Sequence, residues 1–144
     1  MVKDPIGSKG PRLSRHLSFP GRFLVFMPGI DHIGISRKIT QATDRKRLKK
    51  IATDLEVPQG QGLIIRTAGA KRTKTEIKRD YEYLSRAWET IRDETMKSVA
   101  PALIYEESSL VKRAIRDLYD KDVDEVHVDG EAAYKEAKDF VRML

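Results

Sequence analysis

Cysteine is absent from the 144 residues, which excludes a disulfide framework and any thiolate metal site. Histidine is scarce as well: His16, His32 and His127 are scattered without the spacing that metal ligands need. No stretch approaches the roughly 18 consecutive apolar residues of a membrane-spanning helix. The polar opening MVKDPIGSKGPRLS lacks the apolar core of a signal peptide. Together these absences lead us to expect a cytoplasmic chain. Motifs are missing too: there is no Walker loop, no GxSxG elbow, no nucleophile with a nearby base, no internal repeat and no low-complexity tract. Asp122, Asp124 and Glu125 cluster, but in a stretch that reads as a turn before a strand, where solvated carboxylates are commoner than a Mg²⁺ site.

What is present fits one domain, or one domain with pieces of its neighbours. Hydrophobic residues make up 40% of the chain, enough for a core. The net charge of +6 is unevenly spread. Residues 1–50 hold twelve Lys/Arg against three Asp/Glu, whereas the remainder holds sixteen against nineteen. A basic first third fits a polyanionic partner such as nucleic acid, and equally a solvated basic surface.

The pattern of elements predicts a mixed α/β fold, with alternating strands and helices in a two-layer sheet-plus-helix arrangement behind a basic, irregular N-terminal segment. Residues 1–20 are broken by Pro5, Gly7, Gly10, Pro11 and Pro20 and read as a loop or tail. Strands are expected at Arg22 to Met27, more weakly at His32 to Ile39, and at Gly62 to Thr67, Ala102 to Tyr105 and Glu125 to Val128. Largely parallel pairing is expected from the alternation. Asp44 reads as the N-cap of a helix carrying Leu48, Ile51, Ala52 and Leu55, stopped by Pro58 and Gly60. Thr73 and Glu76 have capping-box spacing ahead of the clearest helix, whose stripe is Ile77, Tyr81, Leu84, Trp88 and Ile91 and which Pro101 ends. Ser108 or Ser109 caps a third helix, and Asp129 a last one with Ala133, Ala137, Val141 and Leu144 on one face. Composition shifts suggest boundaries near Pro20 and Val111.

The best site candidate is the end of the Gly62 to Thr67 strand. An arginine there, Arg66, can present its guanidinium fork to a phosphate, and the Thr67 hydroxyl can donate a further bond. Strand ends of open α/β sheets are where ligands gather. A surface salt bridge for Arg66 and a turn cap for Thr67 fit the same residues. Gly21 before the first strand would let backbone N–H groups approach a ligand, or simply turn the chain after Pro20. Arg37, Lys38, and the run Arg45-Lys46-Arg47 with Lys49-Lys50 could hold a phosphate backbone, though a helix face of this kind is usually just solvated. Tyr81 and Trp88 lie on the apolar stripe and read as core. Tyr83, off the stripe, is the exposed ring to test for stacking.

Four stretches resemble the ribonuclease E/G family of bacterial endoribonucleases. They are Pro20-Gly21-Arg22-Phe23-Leu24-Val25-Phe26-Met27-Pro28, then Gly34-Ile35-Ser36-Arg37-Lys38-Ile39, then Pro58-x-Gly60-x-Gly62-Leu63-Ile64-Ile65-Arg66-Thr67-Ala68-Gly69, and last Tyr105-Glu106-Glu107-Ser108 with the Ile115-Arg116-Asp117 helix. The resemblance implies that residues 21–111 are a 5′ sensor domain, which accepts the 5′-monophosphate of single-stranded RNA in preference to a 5′-triphosphate. It implies a phosphate pocket of Arg66 and Thr67 with main-chain groups around Gly21 and Val25. Arg37 and Lys38 are our own additions as RNA-backbone contacts. Residues 1–20 resemble the tail of an OB-fold RNA-binding barrel, with Lys9 matching an RNA-contacting lysine, and residues 112–144 resemble the start of an RNase H-like subdomain. The family cuts RNA by Mg²⁺-assisted hydrolysis with carboxylates of a further, deoxyribonuclease-I-like domain and joins protomers through a cysteine-bound zinc. Neither part is in this chain, nor is an arginine that the catalytic domain adds to the pocket. A chain inactive as a nuclease on its own is therefore expected, without cofactor, working with the rest of an oligomeric nuclease in cis. Two rivals are an inert spacer between barrel and catalytic core, and an enzyme acting on a small phosphorylated metabolite. The latter needs an acid/base pair near Arg66 that the sequence does not offer.

Overall fold

The structure, a computed structural model, describes residues 2, 3, 5, 7–106 and 109–143. Glu107 of the fourth motif stretch, the Ser108 alternative for a cap, and Leu144 lie outside the described residues. The chain divides into two compact units, residues 1–81 and 82–144, and each is taken by itself.

In the first unit the N-terminal tail is less irregular than its prolines suggest. β1 (Val2–Lys3) pairs antiparallel with β2 (Arg12–Leu13). The main sheet is mixed, with strand order β3 (Phe19–Pro20), β4 (Leu24–Pro28), β6 (Gln61–Ile65), β5 (Ile33–Ile35). The expectation of largely parallel pairing is corrected. Only β5 and β6 run parallel, joined by a helical crossover, while β3–β4 and β4–β6 are antiparallel. Period-2 alternation in β4 puts Leu24 and Phe26 on the same side as their partners Ile65 and Leu63, and all four are fully buried. Val25 and Ile64, also partners, occupy the other, half-buried side.

Two helices supply the second layer. α1 (Ala42–Asp54) buries Leu48, Ile51 and Ala52 at the predicted spacing. Its N-cap is Gln41 rather than Asp44. Asp44 falls in the first turn, where the helix dipole favours a carboxylate and where Lys71 Nζ pairs with it at 3.2 Å. α2 (Lys74–Lys97) opens with the predicted capping box. The Thr73 N–H donates to Glu76 Oε2 at 2.8 Å, and the Glu76 N–H returns to Thr73 Oγ1 at 3.3 Å. From α2, Ile77 is fully buried and Tyr81 meets the Phe26 ring edge-on at 6.0 Å. Fully burying an aliphatic side chain such as Ile77 contributes about 1.5–3 kcal/mol.

In the second unit, α3 (Leu110–Leu118) and α4 (Glu131–Met143) enclose a small core of Ile115, Ala137 and Phe140. Ser109 caps α3 by accepting from the Lys112 N–H. The chain enters α4 through Gly130, whose carbonyl takes the Tyr134 N–H at 2.9 Å, so Asp129 lies one residue too early to be the cap. The stretches 102–105 and 125–128 are not strands: they have no paired neighbour among the described residues, and an unpaired strand does not hold. Val128 instead packs on the small core. Tyr83 is not an exposed ring. It packs there too, edge-on to Phe140 at 6.0 Å. Tyr81 and Trp88 are half-buried.

Candidate functional site

Because β5 and β6 are parallel and β4 runs against them, the ends of β5 and β6 come out beside the start of β4. The Ser36 N–H donates to the Ile65 carbonyl at 2.9 Å, and the Arg66 N–H to the Phe23 carbonyl at 2.8 Å. Three segments are thereby gathered at one end of the sheet: Gly21 to Leu24, Ser36 to Lys38, and Arg66 with Thr67.

The turn from β3 into β4 is held internally by the Gly21 N–H on the Leu24 carbonyl at 2.8 Å. The half-buried Arg66 side chain reaches this turn, Nη1 donating to the carbonyl of Gly21 and to that of Arg22 at 3.3 Å. Thr67 is exposed and begins a single 3-10 turn, Thr67–Gly69, that folds back over β4. Only glycine fits at the end of that turn, since a Cβ at Gly69 would stand 2.9 Å from the Phe23 carbonyl oxygen. Phe23 itself is buried, with the guanidinium carbons of Arg22 and Arg72 each 5.1 Å from its ring centroid.

Opposite Arg66 stands Asp80, a residue the sequence reading missed. Only 5% exposed, its carboxylate accepts from three consecutive main-chain N–H groups. Arg22 donates to Oδ1 at 2.9 Å, and Phe23 and Leu24 donate to Oδ2 at 2.8 and 3.0 Å. Burial pushes its pKa above the ordinary carboxylate range, and the three N–H donors and the Arg22 charge offset that only in part. A signal was there to be read. Asp80 sits at helical spacing between Ile77 and Leu84, a charge inside an apolar stripe.

Other expected contacts divide clearly. Arg37 and Lys38 are exposed just beyond β5, at the same sheet end as Arg66. Val25 lies one strand pair inward, on the half-buried face. Lys9 is exposed on the stretch that joins β1 to β2, away from the main sheet's strands. The basic run of α1 does not act as a block. Arg45 donates to the carbonyls of Ser36 and Ile39 at 3.1 and 2.9 Å. Arg47 donates to those of Ala70 and, at 2.8 Å, Arg72. Both arginines tie loops at this end of the sheet, while Lys46, Lys49 and Lys50 are exposed. Among the described residues no group of three or more His, Asp or Glu could hold a metal ion. No helix among them is long and apolar enough to cross a membrane.

By fold and charge this is a basic α/β module with an arginine fixed at the end of a mixed sheet. The chain belongs to the Ribonuclease E/G family, whose sequence model matches residues 18–144. It is 37% identical to Ribonuclease G of Escherichia coli strain K12 over 140 residues, which are 97% of this chain and 28% of that protein. It is 34% identical to Ribonuclease E of Nostoc sp. over 142 residues, 99% of this chain and 20% of that one. The chain thus spans less than a third of the length of these relatives. Among solved structures it is similar to the Staphylococcus aureus RNase P protein, with a TM-score of 0.42 and 19% identity over 52% of this chain and 83% of the other, a likeness too slight to carry an argument.

Proposed function

We propose that this chain is the part of a ribonuclease E/G-type endoribonuclease that receives the 5′-monophosphate end of single-stranded RNA. In this reading Arg66 and Thr67 hold the phosphate, and main-chain groups around Gly21 and Val25 frame it. Arg37, Lys38 and Lys9 run along the RNA backbone. The observation that supports it most is the placement of Arg66. Its guanidinium is oriented by two carbonyls at the sheet end where Thr67, Arg37 and Lys38 also emerge. Such a fork matches one phosphate group in geometry and charge, and a site closed around a single phosphate has too few donors for three. Residues 21–111 are the sensor, residues 1–20 the tail of the preceding barrel, and residues 112–144 the start of the RNase H-like subdomain. RNA cleavage, with its Mg²⁺ and the protomer-linking zinc, is the work of other parts of the enzyme. This chain alone, which we place in the cytoplasm, is expected to show no turnover.

The test is titration with a short labelled RNA bearing a 5′-monophosphate against the same RNA with a 5′-hydroxyl, at two salt concentrations. Arg66→Gln is expected to weaken binding of the phosphorylated RNA about 10- to 100-fold, the loss of one or two charge-assisted bonds, and to leave the hydroxyl form unchanged. Equal and steeply salt-dependent binding of both RNAs would reduce the site to a basic surface. The spacer reading is favoured by the same carbonyl contacts, which make Arg66 a structural tie. It gains if Arg66→Gln lowers stability and leaves RNA binding untouched.

A further inference from the structure

We propose that Asp80 is a positioning residue for the 5′-phosphate site, acting on Arg66 through three shared peptide groups. The inference rests on the reading above and deepens it. The peptide linking Gly21 to Arg22 accepts from the Arg66 guanidinium at its carbonyl and donates to Asp80 Oδ1 at its N–H. The next, Arg22 to Phe23, accepts from Arg66 Nη1 at 3.3 Å and donates to Asp80 Oδ2 at 2.8 Å. The third, Phe23 to Leu24, accepts from the Arg66 main-chain N–H at 2.8 Å and donates to Oδ2 at 3.0 Å. In a trans peptide the C=O and N–H point in opposite directions. One strand of turn therefore lies between a carboxylate on one side and an arginine on the other, each of its three peptide planes bonded to both.

This arrangement has consequences for the guanidinium. The carbonyls that orient Arg66 can turn only if their own N–H groups leave Asp80. Those bonds are hard to give up, because a buried carboxylate without donors is strongly disfavoured. Bonds in series through a peptide also polarise one another, so the carboxylate strengthens the carbonyls as acceptors. Asp80 has no room to shift toward the turn. A Cβ at Gly21 would lie 2.5 Å from Oδ2, so the approach is as close as a glycine allows. Helix α2 thereby sets the plane in which Arg66 meets its ligand, with Asp80 touching no RNA.

The experiment uses this chain and the same pair of RNAs, and reads the ratio of 5′-monophosphate to 5′-hydroxyl affinity. Asp80→Asn retains the size of the side chain and loses one acceptor and the charge. It is expected to cut that ratio about tenfold while the hydroxyl RNA binds as before. Ile77→Val, a buried change in the same helix, is the control for general destabilisation and should leave the ratio intact. Unchanged discrimination in Asp80→Asn overturns the inference and leaves the proposed function standing. A wild-type chain that does not discriminate overturns both. If Asp80→Asn does not fold, amide exchange of the wild-type chain decides. Arg22, Phe23 and Leu24 should exchange more slowly when the monophosphate RNA is bound and not when the hydroxyl RNA is bound. Unaltered exchange refutes the coupling.

Discussion

Replacing Gly21 by alanine gives the sharpest test of the turn described above, because it adds one methyl group and alters no charge. The new Cβ would lie 2.5 and 2.6 Å from the two Asp80 oxygens and 2.8 Å from Cγ, inside any real contact distance. Retreat of the carboxylate is blocked in practice, since it would have to leave N–H donors now at 2.8 to 3.0 Å. Losing one bond to a buried charged group costs about 1.5–3 kcal/mol. On that basis Gly21→Ala should shift the folding equilibrium of the first unit by roughly 10- to 150-fold. Gly10→Ala is the natural comparison: nothing lies within 4 Å of its Cβ position, so its effect should stay within about 0.5 kcal/mol. Trp88, the single tryptophan, belongs to the second unit. Fluorescence would therefore follow the wrong core, and amide exchange at Leu24, Phe26 and Leu63 is the suitable assay. If Gly21→Ala protects these amides as well as Gly10→Ala does, the close approach of Asp80 is not what holds the turn.

Two carboxylates of α2, Glu76 and Asp80, should respond to acid in opposite ways. Hydrogen bonding from the Thr73 N–H holds Glu76 below its ordinary range, so its contribution is present above the unfolded pKa and is lost as pH falls through the folded one. Asp80 is raised by burial, so its contribution is full below the ordinary value of 3.8 and is lost as pH rises through the folded pKa. In thermal melts, wild type should therefore lose its advantage over Glu76→Gln on acidification and gain on Asp80→Asn; parallel curves would contradict both assignments. Arg47→Ala should free the loop that follows Arg66 by removing the donors to the Ala70 and Arg72 carbonyls. Faster exchange of the Arg72 N–H, now 3.1 Å from the Gly69 carbonyl, is the expected sign, and unchanged exchange would mean that the loop holds itself.

Local signals carried well from sequence to structure, and relations between distant segments did not. The Thr73–Glu76 box and the spacing of Leu48, Ile51 and Ala52 depend on neighbours within one or two turns, and both were legible. Strand direction depends on which segments pair. Reading the alternation of strands and helices as largely parallel missed that β4 lies antiparallel to β6. The stretches 102–105 and 125–128 alternate well enough to be strands, but a strand is a relation to a partner, and a single stretch cannot state it. Tyr83 was misassigned for a similar reason: the ring it packs against, Phe140, lies far away in sequence.

Arg66 stands out in the sequence as a candidate from its place at the end of a buried strand, whereas Asp80 does not, and the reason lies in the kind of bond each makes. The carboxylate recognises N–H groups that any residue except proline would supply. The identities of Arg22, Phe23 and Leu24 therefore carry no trace of it. Its only imprint on the turn is the absence of a side chain at Gly21, and a glycine beside a proline has a simpler explanation. Only the charge placed in the stripe between Ile77 and Leu84 points to a buried acceptor, since an unpaired Asp there would be too costly to keep. A charged residue at such a position is best read as a question about which backbone it serves. Here the backbone it serves also orients Arg66, so the bonds that stabilise the turn are the ones that would shape the proposed phosphate site. Substitutions at Gly21, Arg66 and Asp80 should consequently behave as a coupled set rather than as three independent losses.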